Sequence, residues 1–268
     1  MAGARNFLFG PANDDVALAR LLETTARVTG FMKGAPGGPL PGWYVPGADN
    51  SVFLTDMMQQ LAATYPDAAK PYYQTRMWTS LVWQPAYVAV IAVHVLGVLP
   101  DLSKISQATA RGRDISGFRL PAGPQQTGDL ETLITRAGAD LRATCNGILA
   151  DINAVGRLKP LPARRLLADR MLGLMVRLQE FVPGIAIEEQ FRFCGLWLDA
   201  MGLAGEGSLD RITLEDAREL LIIRRKGCCL DYLAMPGTYC ISCPRQDDAL
   251  RLDRQITTAR AEFDARSA

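Results

Sequence analysis

The chain has 268 residues, with 29 Lys and Arg against 28 Asp and Glu, 49% hydrophobic residues and one histidine, His94. This is ordinary globular composition, long enough for one large domain or two modest ones, and the near-zero net charge argues against a nucleic-acid partner. A single histidine excludes a two-histidine zinc site within the chain, and six cysteines are too few for a disulfide scaffold.

The amino terminus lacks the 7–15-residue apolar stretch of a signal peptide, so a cytoplasmic, reducing location is expected. A first helix is predicted from Asn13-Asp14-Asp15 through Val16, Leu18, Leu21, Leu22 and Val28 to Gly30. The Gly- and Pro-dense stretch from Gly34 to Gly47 reads as a long loop. A helix over Val52 to Thr64 is followed by an aromatic segment holding Tyr72, Tyr73, Trp78, Trp83 and Tyr87. The run from Met77 to Pro100 carries no formal charge, and Pro85 divides it. Its continuous apolar part, Ala86 to Leu99, would make ~21 Å of helix against ~30 Å of hydrocarbon, which favours a buried core helix over a membrane span and leaves peripheral membrane contact open. His94 inside this run reads as a packed helix residue.

Ile105 to Ala110 and Ile115 to Leu120 are expected to pair as a short hairpin around Arg111-Gly112-Arg113. Apolar residues then recur at helical spacing in three stripes: Leu130 to Ile152, Leu167 to Phe181, and Ile187 to Met201. Cys145 and Cys194 lie on these stripes and are expected to be core residues. Thr213-Leu214-Glu215-Asp216 has the form of a capping box, predicting a helix through Ala217, Leu220, Leu221 and Ile223 that ends at Arg224-Arg225-Lys226-Gly227. A last helix is expected to dock through Leu252, Ile256, Ala259 and Phe263. The fold class is therefore mainly α: a helical body over residues 1–212 and a cysteine-loop lobe over 213–268.

Four of the six cysteines fall in one stretch, as Cys-Cys-x10-Cys-x2-Cys at Cys228, Cys229, Cys240 and Cys243. Pro236-Gly237 suits the centre of a type II turn that would fold the two pairs together. A Cys228–Cys229 disulfide would be strained, since neighbouring Cα atoms sit only ~3.8 Å apart. A thioredoxin-like reading of Cys240-Ile241-Ser242-Cys243 lacks its βαβ context. Four-cysteine zinc sites use two pairs spaced by two to four residues, which only the second pair satisfies. The iron–sulfur reading fits four thiolates but matches neither the bacterial nor the plant ferredoxin spacing, so spacing alone leaves zinc and iron–sulfur both open.

The strings Arg-Lys-Gly-Cys-Cys-Leu-Asp-Tyr and Tyr-Cys-Ile-Ser-Cys-Pro-Arg resemble the carboxy-terminal signature of the siderophore-iron(III) reductases, the FhuF-like family, over about residues 190 to 246. The resemblance implies a [2Fe-2S] cluster on Cys228, Cys229, Cys240 and Cys243, and one-electron reduction of Fe(III) in a ferric siderophore. Arg224, Arg225 and Lys226 are placed to favour the reduced cluster, and Tyr232 and Tyr239 to pack over it or line a contact surface. Candidate substrate residues are Trp78, Trp83 and Tyr87 with the basic trio Arg111, Arg113 and Arg119. No phosphate loop or GxGxxG turn occurs, so electrons are expected from a separate donor: a ferredoxin, flavodoxin or flavin reductase. The alternatives are a zinc-stabilised helical binding module and a siderophore-biosynthesis protein.

Overall fold

The uncharged run of the sequence becomes the centre of the molecule. In the computed structural model, which describes residues 15–110, 112, 114–214 and 219–267, helix α3 spans Lys70–Ile91 and a π-helical turn, Ala92–Leu96, extends it to a left-handed Gly97. The segment Lys70–Leu96 is long and apolar enough to cross a membrane, but its most hydrophobic window is 72% buried inside the protein, as befits a core helix. Pro85 does not divide it. A proline withholds the N–H that the carbonyl four residues earlier requires. Gln107 supplies the missing donor, its Nε2 lying 3.0 Å from the Leu81 carbonyl oxygen.

Seven further α-helices surround this core among the described residues. Helix α1 (Val16–Thr29) starts on an Asp15 cap, and α2 (Ser51–Thr64) follows the Gly/Pro loop. Helix α4 (Leu130–Val155) is capped by Asp129, which accepts from Thr132 N at 2.9 Å, and buries Ile134, Ala137, Leu141, Cys145, Ile148 and Ile152 as its spacing predicts, with Leu133 buried at the start in place of the half-buried Leu130. Helix α5 (Pro160–Val176) begins with a proline in its first turn, where no N–H is needed, and runs into the short α6 (Leu178–Phe181). Helix α7 (Ile187–Ala200) packs on both α4 and α5. Cys145 and Cys194 are core residues, 1% and 5% exposed. His94 is half-buried, accepting a hydrogen bond at Nε2 from Trp197 Nε1 at 3.0 Å.

The expected hairpin is present as β3 (Ser106–Ala110) and β4 (Asp114–Leu120), antiparallel, with Ser106 opposite Arg119. Part of the Gly/Pro loop adds a third strand, β1 (Gly34–Pro36), parallel to β4. The two-residue strands β2 (Val98–Leu99) and β5 (Gln126–Thr127) pair separately.

One expected element is corrected. The segment read as a capped helix through Leu221 and Ile223 is strand β7 (Glu219–Arg225), paired antiparallel with β6 (Gly207–Thr213), while Glu215, Asp216 and Ala217 lie outside the described residues. Both α5 and helix α8 (Asp248–Ser267) pack on β7, and α8 covers its open edge, where Gln255 Oε1 accepts from Ile223 N at 3.1 Å. A short run such as Leu-Leu-Ile-Ile, covered by helices, carries no period-2 alternation and reads equally as helix. Strand β6 also crosses the 212/213 division expected between body and lobe. Helix α8 docks differently from its expected stripe: Gln255 is its buried residue, Leu252 is 39% exposed, and the Phe263 side chain lies outside the description.

Candidate functional site

Strand β7 delivers the chain into the cysteine loop, and the stem is held by helix α5. Arg225 Nε lies 3.0 Å from Asp169 Oδ2, with the two side chains 15% and 6% exposed, so this is a buried ion pair. The other carboxylate oxygen, Asp169 Oδ1, is buried without a hydrogen-bond partner among the described residues. Gly227 has no room for a side chain: a Cβ there would sit 2.6 Å from Asp169 Oδ2 and 3.0 Å from the α5 backbone at Arg165 and Leu166. Burial pushes the Asp169 carboxyl up to about 6, against the pull of Arg225.

Beyond the stem, Leu230 adopts φ 61°, the left-handed region, and starts a 3-10 turn at Asp231–Leu233. The loop then folds back as its sequence predicts. Thr238 N donates to Met235 O at 3.1 Å and Gly237 takes φ 80°, a type II turn centred on Pro236-Gly237. The second cysteine pair is closed by Cys243 N donating to Cys240 O at 3.0 Å. Helix α8 clamps this end through Arg254, which donates to Tyr239 O at 3.1 Å and to the Gln246 side chain, and Gln246 Nε2 donates to Cys240 O at 2.8 Å.

None of the four thiols is in a disulfide. Cys243 is buried at 2% exposure, and Cys228, Cys229 and Cys240 are half-buried. Cys229 and Cys240 are joined by a side-chain hydrogen bond, which pulls the Cys229 thiol down to about 7 and pushes Cys240 up as the donor. Desolvation raises Cys228. Arg225 donates from Nη1 to Cys240 Sγ at 3.3 Å. The loop therefore offers the soft thiolate donors an iron–sulfur group needs, with a cation already against one sulfur. Among the described residues, no three His, Cys, Asp or Glu side chains stand close enough together to hold a metal ion, so Cys228 and Cys243 would have to close on the Cys229–Cys240 pair as the group is loaded.

A cavity of about 310 Å³ opens directly beside Cys229 and Cys240. Its walls come from α3, α5, β7 and the loop, and four arginines border it: Arg76, Arg170, Arg177 and Arg225, against the acids Asp169 and Asp231. A second cavity of about 330 Å³ adjoins it, sharing Arg76, Thr79, Tyr87 and Arg170, and leads to an aromatic end where Phe31 and Trp83 stand 5.8 Å apart between ring centroids.

The expected site residues divide between this groove and other places. Tyr87 borders both cavities and Trp83 the second. Trp78 does not: it is 2% exposed and its Nε1 donates to Ala163 O at 3.0 Å. Arg119 is likewise in the interior, at 6% exposure, donating to Pro36 O at 2.7 Å, because the parallel strand β1 pairs along the edge of β4 that a two-stranded hairpin would leave open. Arg111 and Arg113 lie outside the described residues. Of the basic stem trio only Arg225 reaches a sulfur. Arg224 pairs with Asp210 and Lys226 Nζ donates to Gly205 O at 2.6 Å; in a strand, neighbouring side chains point to opposite faces. Tyr232 and Tyr239 pack on each other at 6.0 Å between ring centroids, with Arg245 over Tyr232, and neither borders the cavity. Arg76, Arg170 and Arg177 were not singled out from the sequence. The available signal was the pair Asp169-Arg170, two charges set in the otherwise apolar stretch Leu166–Leu172.

A search of the chain against protein-family models finds no match, and no solved structure matches it.

Proposed function

We propose that the chain is a one-electron reductase of ferric siderophores, with Cys228, Cys229, Cys240 and Cys243 holding a [2Fe-2S] cluster. The observation that carries this reading is the cavity bordered at once by two of the motif thiols and by arginines, a place where a ferric chelate would lie against the sulfur ligands. When bound, the cluster supplies one electron at a time, which takes Fe(III) to Fe(II) and weakens its hold by hard oxygen donors.

The chain's own groups then have defined tasks. Arg225 neutralises charge at the Cys240 sulfur, and Asp169 fixes the guanidinium that does so. A fixed cation at a ligand sulfur favours the reduced state and raises the potential. Tyr87, Arg170 and Arg177 bind and orient the chelate on the wall formed by α3 and α5. Electrons enter from a separate donor protein, a ferredoxin, flavodoxin or flavin reductase, in the cytoplasm, where the four thiols stay reduced.

The test is anaerobic purification with iron and sulfide. A red-brown protein that gains a paramagnetic signal on reduction, and then transfers one electron per cluster to a ferric siderophore with Fe(II) captured by a chromogenic chelator, supports the reading. A colourless, zinc-containing protein would replace it with a structural zinc module. A coloured protein that reduces no ferric chelate would sink the enzymatic assignment.

A further inference from the structure

The groove carries information about which ferric chelate it takes. Arg170 and Arg76 are the arginines that border both cavities. Arg76 is paired with Asp114 at 3.3 Å, Arg177 with Glu180 at 2.9 Å and Arg225 with Asp169 at 3.0 Å. Arg170 forms no carboxylate ion pair among the described residues. Burial lowers its pKa, and its compensating partner is the Tyr87 hydroxyl. A guanidinium half-buried in a groove without a carboxylate partner leaves its charge for something else to balance.

Tyr87 completes the arrangement. Its hydroxyl oxygen accepts from Arg177 Nη1 at 2.9 Å and interacts electrostatically with Arg170, so its own O–H is left as a donor. The Thr79 hydroxyl donates back to Arg76 O at 3.1 Å, so it adds no competing donor. The centre of the groove thus presents donors: the forks of Arg170 and Arg177 and the Tyr87 O–H. Of the three acids on the wall, Asp169 is engaged by Arg225 and Asp114 by Arg76, which leaves Asp231 in the cysteine loop.

Resting on the reductase reading, we propose that the substrate is a net-anionic ferric chelate, of the catecholate or carboxylate class, and that Arg170 is the residue that selects it. The charged oxygens of the chelate serve as the missing counter-ion of Arg170 and accept from Tyr87, with the apolar rim of the chelate on Phe31 and Trp83. A neutral or cationic trihydroxamate complex offers Arg170 no counter-charge and is disfavoured.

The experiment measures binding without electron transfer, by calorimetric titration of the cluster-loaded protein with Ga(III) chelates, which are redox-inert. The probes are a trianionic tricatecholate, a neutral cyclic trihydroxamate and a cationic linear trihydroxamate. The trianionic chelate should bind at least ~10-fold more tightly than the other two, with an affinity that falls as salt is added. Arg170→Gln should remove that preference by weakening the trianionic complex at least ~10-fold, the worth of one charge-assisted hydrogen bond, while Arg170→Lys retains part of it. Circular dichroism confirms that the variants are folded. Equal or tighter binding of the neutral or cationic chelate, or an unchanged preference in a folded Arg170→Gln protein, overturns the proposal. The parallel Fe(III) assay separates the two claims. Reduction of neutral chelates with no charge preference leaves the reductase reading standing without this one. Tight trianionic binding with no iron reduction leaves the selective site standing without the reductase.

Discussion

Gln107 Nε2 donates to the Leu81 carbonyl oxygen at 3.0 Å, at the place in helix α3 where Pro85 has no N–H to offer. The helix and the strand β3 are thereby interdependent. Gln107→Met should leave a buried carbonyl without a partner and cost on the order of 1–3 kcal/mol in urea denaturation. Pro85→Ala restores the backbone donor, so in that background the same substitution should cost at least ~1 kcal/mol less. Strict additivity of the two changes would show that Gln107 does not substitute for the proline's missing donor.

The two classes of cysteine separate cleanly. Cys240→Ser should abolish the visible absorption of anaerobically reconstituted protein. Cys145→Ser should leave the colour intact and cost ~1–3 kcal/mol, because it sets a hydroxyl in an apolar site that is 1% exposed. Absorption spectra and thermal melts of both variants, run side by side, check this.

His94 makes stability pH-dependent. Burial holds its imidazole down to about 4, where it stays neutral and accepts from Trp197. The unfolded chain takes up a proton near the ordinary value of 6.5, so the stability His94 confers is fully present above 6.5 and drains away as pH falls toward 4. The loss should reach on the order of 3 kcal/mol. His94→Gln keeps an acceptor for Trp197 but does not titrate, and its urea midpoint should fall less between pH 7 and pH 5 than that of the unaltered chain.

Gly227 sets how closely the cysteine loop approaches α5. Gly227→Ala should destabilise by ~1–3 kcal/mol, since its Cβ would overlap Asp169 Oδ2 and the Arg165–Leu166 backbone. It should also shift Arg225 off Cys240 and lower iron retention on gel filtration. Gly147→Ala, on the exposed side of α4 with nothing within 4 Å of the new carbon, is the control and should stabilise by ~0.5–1 kcal/mol.

What the sequence disclosed depended on range. The stripe of α4, the β3–β4 hairpin and the Pro236-Gly237 turn were all legible, because each is set by neighbours a few residues apart. Strand β7 was not, since Leu-Leu-Ile-Ile owes its conformation to β6 and to the helices that cover it. Arg119 was expected on an exposed hairpin, and strand β1, drawn from a segment that reads as pure loop, pairs along its edge and takes its hydrogen bond. The groove was legible at Trp83 and Tyr87 and, on the cysteine-loop side, at Arg225, Cys229 and Cys240. Its arginines are brought together by tertiary packing of α3, α5 and β7, and no local pattern marks Arg76 or Arg177.

On the proposed reading, reactivity and discernment are encoded at different scales of the chain. The sulfurs all lie between Cys228 and Cys243, and a synthetic fragment of that stretch would have the atoms to capture soft metals as soon as it existed. The arginine wall exists only after helices begun near Lys70 and Pro160 have met strand β7. On that reading a nascent or partly unfolded molecule would take up metals indiscriminately, and would acquire its choosiness last.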